Sequence, residues 1–492
     1  MGACLLGVDI GTSACKTALF DENGRALAQG GCAYPVRYPQ NGWAEQEPED
    51  WWQGVCRAIR EMMADSGVSP AQIAGIGVDG QSWSAIAVDG QGRVLCPTPI
   101  WTDRRAGDIC REIGKEIPEE ELFRVCGNPC QPGYTWPKIL WYKKHLPQVF
   151  EKTEKILQSN SFIVYRMTGE ITQDLSQGYG MACFDMRKGQ WDLDLCRRLG
   201  IPEKLLPPLA PCHQIVGRLT GEAAEACGLI PGIPVAAGGL DAACGTLGAG
   251  VVSPGQTQEQ GGQAGGMSIC LDQYAADPRL ILGMHAVPGR WLLQGGTTGG
   301  GGALKWLRET VCPECGFEEM SALSGAVPPG SDGVVFLPYM AGERSPIWDP
   351  RACGVFFGLN FAVGRAHLIR ACMEGVAYAL RHNLEVARAA GAKVGVLRAM
   401  GGSANSREWT QIKADVTSCE IEVPASDTAT TLGAAILAGV GTGVYHSFEE
   451  AAQKTVSVRR THTPDPGRQE AYEKGYRTYR GLYERLKELM KQ

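Results

Sequence analysis

The sequence predicts an α/β fold made of two related domains, on three observations. Residues 5–20 read as two apolar strands joined by a Gly11-Thr12-Ser13 turn. The first half of the chain then alternates short strands with amphipathic helices. Near Thr257 a run of Thr-Gln-Glu-Gln-Gly-Gly-Gln-Ala-Gly-Gly sets a second glycine loop between two strand-like stretches, an internal echo of the first hairpin. A chain of 492 residues also exceeds what one hydrophobic core ordinarily supports.

The opening hairpin carries the first chemistry. Its second strand ends in Asp21-Glu22-Asn23-Gly24, a tight-turn signal, so the glycine loop lies between antiparallel strands instead of opening a helix. Successive N–H groups in such a turn form an anion-binding concavity. Thr12 and Ser13 add hydroxyl donors, and Asp9 suits a magnesium ion held through water. A plain hairpin with a turn acid accounts for the same residues. Further on, residues 51–64 read as a helix and residues 73–78 and 84–88 as strands. Residues 234–240 read as a buried strand, after which Asp241 opens a small-residue helix over 242–247, either as its N-cap or as a general base. Glycine clusters at 295–302 and 401–402 lead into helices over 303–310 and 406–417, whose first turns favour anions. The last segment, 464–492, is a charged amphipathic helix whose stripe of Tyr472, Tyr476, Tyr479 and Tyr483 reads as packing.

Bulk properties exclude several classes. A formal charge of −6 gives no footprint for nucleic acid or an anionic membrane surface. The 19 cysteines are scattered through apolar segments and read as small core residues of a reduced, cytoplasmic protein. Cys312-Pro-Glu-Cys315 and the Cys126/Cys130 pair lack zinc-ribbon spacing. No secretory leader and no run of about 18 apolar residues is visible.

Taken in order, several segments together resemble the FGGY family of carbohydrate kinases, within the actin-like ATPase superfamily, and its xylulokinase-like branch. They are residues 7–13, 77–83, 100–104, 133–141 and 238–241 in the first half, and 336–344, 354–359, 400–405 and 431–435 in the second. The resemblance spans nearly the whole chain. It implies two actin-like (ribonuclease H-like) domains with a nucleotide cleft between them: residues 1–248 on the sugar side and 249–492 on the nucleotide side, with the last helix able to pack back on the first domain. It implies ATP-dependent phosphorylation of a small sugar or polyol hydroxyl, with a ketose such as xylulose as acceptor and Mg2+ on the phosphates. A homodimer is compatible with it.

Position by position, the resemblance makes Asp241 the general base and Asp9 the magnesium-associated acid. Gly11, Thr12 and Ser13 form the first phosphate loop, and Gly262 and Gln263 stand in the second. Gly301 and Lys305 lie near the nucleotide, while Gly402, Ser403 and Ser406 contact adenosine. Gln81, Ser82, Trp83 and Asp103 face the sugar; a buried turn amide, a core aromatic and a helix cap are the plainer readings of Gln81, Trp83 and Asp103. Three departures stand out. The second loop has Gly262-Gln263-Ala264 in place of Gly-Thr-Ser, Ser82-Trp83 replaces a Met-His pair, and Ala242 replaces the asparagine after the base. The lost loop hydroxyl motivates the rival reading, a non-catalytic nucleotide- or sugar-binding protein that kept the fold. An actin-like or chaperone-like ATPase is a second rival, which the sugar-side segments oppose.

Overall fold

The structure, a computed structural model, describes residues 2–181, 183–426 and 428–491. The chain divides into two compact units: Met1–Val252 with Gly283–Trp291 and Thr428–Val456, and Ser253–Leu282 with Leu292–Asp427 and Ser457–Gln492.

The first unit is built on a mixed sheet. Its strands run in the order Ile215–Arg218, Pro234–Ala236, Ile73–Gly80, Cys4–Ile10, Ala14–Phe20, Ala26–Ala33. Cys4–Ile10 is antiparallel to Ala14–Phe20, as the hairpin signal predicts, and parallel to Ile73–Gly80. All seven residues of Cys4–Ile10 are buried, which fits a strand covered on both faces. The helix Pro48–Ser66 covers one face with Trp51, Val55, Ile59 and Met62, joining the strand residues Leu6, Val8 and Ile76 in one apolar cluster.

The second unit repeats this plan. Thr257–Gly261 is antiparallel to Gly265–Leu271 and parallel to Leu397–Met400, which is followed by parallel Ile421–Pro424 and then antiparallel Val458–His462. Strand for strand this matches the first sheet from Ala14–Phe20 to Ile215–Arg218. The echo seen in the sequence is therefore a repeated sheet.

Two features differ from expectation. The first continuous segment of the first unit ends at Val252, and Thr428–Val456 belongs to that unit too. The reason is a glycine-mediated fit. A Cβ on Gly7 would lie 1.9 Å from the carbonyl oxygen of Thr431, and one on Gly77 would lie 1.8 Å from that of Ala434. Helix Ala429–Gly441 thus lies directly on the two central strands. Conversely, the last helix, Gln469–Leu486, lies in the second unit: Tyr472, Tyr476 and Tyr479 are buried in its core with Tyr339 and Tyr378. The tyrosine stripe packs into the core of the second unit.

Candidate functional site

In the first unit, three neighbouring parallel strands end in carboxylates. Cys4–Ile10 carries Asp9 and Ile73–Gly80 carries Asp79, and the two are paired in register. Gly239–Leu240 pairs with Asp79 and Gly80, and Asp241 follows immediately. The expected strand over 234–240 breaks in two because Gly238 adopts φ 87°, with its Cα so close to Val78 that a Cβ would fall 2.1 Å from the Val78 oxygen. This close approach sets Asp241 at the strand edge. Leu240, not Asp241, occupies the cap position of helix Asp241–Gly248. Asp241 is the first helical residue, and among the described residues its Oδ1 accepts the adjacent Ala242 N–H, at 2.6 Å. It is therefore not spent on the capping bond to the second or third helical N–H that the plainer reading requires.

The carboxylates crowd one another electrostatically. Burial first, then the neighbouring Asp9 charge, pushes the Asp241 carboxyl up to about 7, though part of the residue's surface remains accessible. Asp79 is fully buried, and burial together with Asp9 and Asp241 raises it well above the usual range. Neither Asp79 oxygen meets a donor among the described residues; what faces it is the Asp9 carboxyl, which burial also raises above the usual carboxylate range. Asp79 is the residue that sequence reasoning missed. Its signal was present: Gly7-Val8-Asp9 recurs as Gly77-Val78-Asp79, and the two triplets are in register.

A raised carboxyl pKa has a stability consequence. Asp241 binds its proton more tightly folded than unfolded, so its contribution to stability is complete below its ordinary value of 3.8 and is lost as pH rises through about 7. Asp241→Asn should therefore melt with the wild type near pH 4 and above it near pH 8. Melting curves that differ by the same amount at both pH values would contradict this origin of the shift.

The first glycine turn is tied to the predicted sugar side. Thr12 Oγ1 donates to Gln81 Oε1 at 3.4 Å and accepts Trp101 Nε1–H at 2.9 Å. Gln81 is buried, donates to Gln46 Oε1 and sits against the end of the first strand through its N–H to the Ile10 oxygen. Gly11 accepts the Tyr34 hydroxyl, while Ser13 stays exposed. Ser82 is partly exposed and Trp83 is held at φ 56°, a left-handed conformation costly for a bulky residue. The Trp83 ring stands edge-on to Tyr134 at 4.6 Å and Tyr179 at 5.7 Å. Its indole N–H is buried without a partner among the described residues, and a Cβ at Gly180 would lie 1.8 Å from the ring. Lys138 fixes this region from below, donating to the carbonyls of Trp83, Ile100 and Gly133; burial lowers its pKa to about 7.

Asp103 does not fit the sugar-facing role expected of it. It is fully buried, accepts the Ala44 N–H at 2.7 Å and holds the Arg105 guanidinium at 2.8 Å, which in turn stacks on Trp43. Both oxygens are consumed in anchoring a loop.

In the second unit a cavity of about 500 Å³ is lined by Gly262, Gln263, Gly301, Lys305, Gly402, Ser403 and Ser406, every nucleotide-side residue predicted outside the first hairpin. Gly261, Leu304, Phe317, Glu318, Ser321, Asn405 and Trp409 complete its wall. Ser406 caps helix Arg407–Thr417 by accepting the Trp409 N–H and shares a hydrogen bond with Ser321. Lys305 is exposed. The amides of Gly301 and Gly302 donate to the carbonyls of Gly262 and Gln263. The first turn of helix Gly301–Val311 therefore supports the glycine loop. The Gln263 side chain is exposed over Gly302. A glycine-walled cavity with small hydroxyls and two aromatic side chains suits a planar base with a charged tail.

The family model described as FGGY family of carbohydrate kinases, N-terminal domain, matches residues 4–248, and the C-terminal domain model matches residues 272–442. The chain is 31% identical over 487 residues to the xylulose kinase of Bacillus subtilis (strain 168), covering 99% of this chain and 97% of that protein. It is 29% identical over 502 residues to the gluconokinase of the same strain, covering 100% of this chain and 96% of that protein. Among solved structures, a xylulose kinase from Rhodospirillum rubrum superposes with a TM-score of 0.92 at 31% identity, covering 99% of this chain and all of that one.

Proposed function

The chain belongs to the FGGY family of carbohydrate kinases, and on that premise we propose that it transfers the γ-phosphate of ATP to a hydroxyl of a ketopentose such as xylulose, with Asp241 as the base. The observation that carries this reading is the Asp241 carboxyl. It is unspent on helix capping, directly follows a parallel strand paired with Asp79, and has a pKa near 7, where a base both accepts a proton and is ionised.

The acceptor hydroxyl lies against Asp241, which takes its proton as the oxygen forms a bond to the γ-phosphorus. The bond from that phosphorus to the oxygen bridging to the β-phosphate breaks, and ADP leaves. The cavity lined by Gly262, Gly402 and Ser406 holds the nucleotide. Gln81 and Trp83 shape the sugar side, the indole N–H being a buried donor without a partner among the described residues.

The acidic pair fits a magnesium ion. Asp79 and Asp9 offer hard carboxylate oxygens, and those of Asp79 are buried without donors. Among the described residues no three acid, histidine or cysteine side chains converge tightly enough to ligate a metal directly, so Asp9 and Asp79 would hold it through water. Bound there, Mg2+ supplies charge neutralisation on the phosphate oxygens.

The acceptor is tested by initial rates of ADP formation with xylulose, ribulose, glycerol and gluconate at fixed ATP and magnesium. A kcat/KM for a ketopentose at least tenfold above the others is expected, the scale of one hydrogen-bond partner matched or missed. Preference for gluconate would replace the ketopentose assignment with a sugar acid.

A further inference from the structure

Behind the cavity wall of the second unit lies an ion pair that the proposed reaction does not use. Lys413 on helix Arg407–Thr417 and Glu259 on strand Thr257–Gly261 are both buried, 2.6 Å apart. Lys413 Nζ also donates to Ser403 Oγ at 2.7 Å, and its charge lies 5.1 Å from the Trp409 ring centroid; Ser403 and Trp409 both line the cavity. The second oxygen of Glu259 is buried without a hydrogen-bond partner among the described residues. The strand end presses on this cluster, since a Cβ on Gly261 would fall 1.6 Å from Ser403 Oγ and 3.1 Å from Lys413 Nζ.

Taking two charges out of water is poorly repaid in stability, and an apolar pair of similar volume commonly serves as well. The arrangement makes better sense as a dipole. Its positive end touches a cavity-lining hydroxyl and the start of the glycine loop, where Gln263 and Ala264 bring no hydroxyl of their own. In a low-dielectric wall such a charge acts more strongly than one in solvent.

We infer that Lys413, oriented by Glu259, is a positioning residue for the phosphates of the bound nucleotide: it fixes Ser403 Oγ and sets a positive charge behind the Gly261–Gly262 turn. This rests on reading the cavity as the nucleotide site. The test is calorimetric titration of ADP and of adenosine into the wild type, Lys413→Met and the double variant Lys413→Met/Glu259→Gln. The double variant guards against misfolding caused by a buried, unpaired Glu259. ADP affinity of the double variant should fall about tenfold or more, the scale of one charge-assisted hydrogen bond. Adenosine affinity should fall by clearly less, through the Ser403 and Trp409 contacts alone, and the melting temperature should stay near wild type. Unchanged ADP affinity, or equal losses for ADP and adenosine, would overturn the inference while leaving the cavity assignment intact. A wild type that binds neither ligand would overturn both.

Discussion

Replacing Asp241 by alanine should lower kcat by about 10²- to 10⁴-fold, the range lost when a positioned base is removed, while ADP affinity stays within about twofold. The split follows from where the residue sits: at the strand edge of the first unit, making one hydrogen bond to its neighbour Ala242, whereas the nucleotide cavity is lined by second-unit residues. The same carboxyl sets the acid limb of the rate profile. Because Asp241 must be ionised to accept a proton and its pKa is near 7, kcat should rise with pH through that value and level off above it. Full activity at pH 5, or an alanine variant with wild-type turnover, would remove Asp241 from the mechanism.

The second large effect is structural. A Cβ on Gly433 would lie 1.9 Å from the carbonyl oxygen of Cys244, and one on Gly248 would lie 1.8 Å from that of Ala429. Helix Asp241–Gly248 and helix Ala429–Gly441 thus meet backbone to backbone, with no flexible side chain able to yield. Gly433→Ala must separate them, at a cost of about 3 kcal/mol or more. The shift also displaces the base, and a misplacement of about 1 Å can cost on the order of 10²-fold in rate. Gly114→Ala is the control: that glycine lies inside helix Gly107–Glu116 with no atom within 4 Å of the added Cβ. It should gain roughly 0.5–1 kcal/mol from helix propensity. Thermal melts and kcat on both variants decide the matter; a Gly433→Ala protein with unchanged melting temperature and turnover would contradict the close packing.

Much of this is local and was legible in the sequence. The hairpin around Gly11, the strand–helix junction at Asp241 and the glycine loop at 262 are written in short-range turn chemistry. The echo at Thr257 is a repeated sheet because the same hairpin-and-parallel-strand plan is used twice. What was not legible is long-range. Nothing around residues 429–441 says that this helix returns to the first unit, because its partners are the missing side chains of Gly7 and Gly77, hundreds of residues away. Asp103 looked like a ligand because its partners, the Ala44 amide and the Arg105 fork, are set by loop folding. Asp79 was recoverable, since its triplet repeats that of Asp9, but only strand pairing makes the two carboxyls neighbours.

The most direct measurement follows the label from γ-³²P-ATP with xylulose and magnesium present. The wild type should place the label in a sugar phosphate ester in step with ADP released, and Asp241→Ala should place almost none there. Label appearing as inorganic phosphate at a rate indifferent to added sugar would contradict the assignment as a carbohydrate kinase acting through this carboxylate.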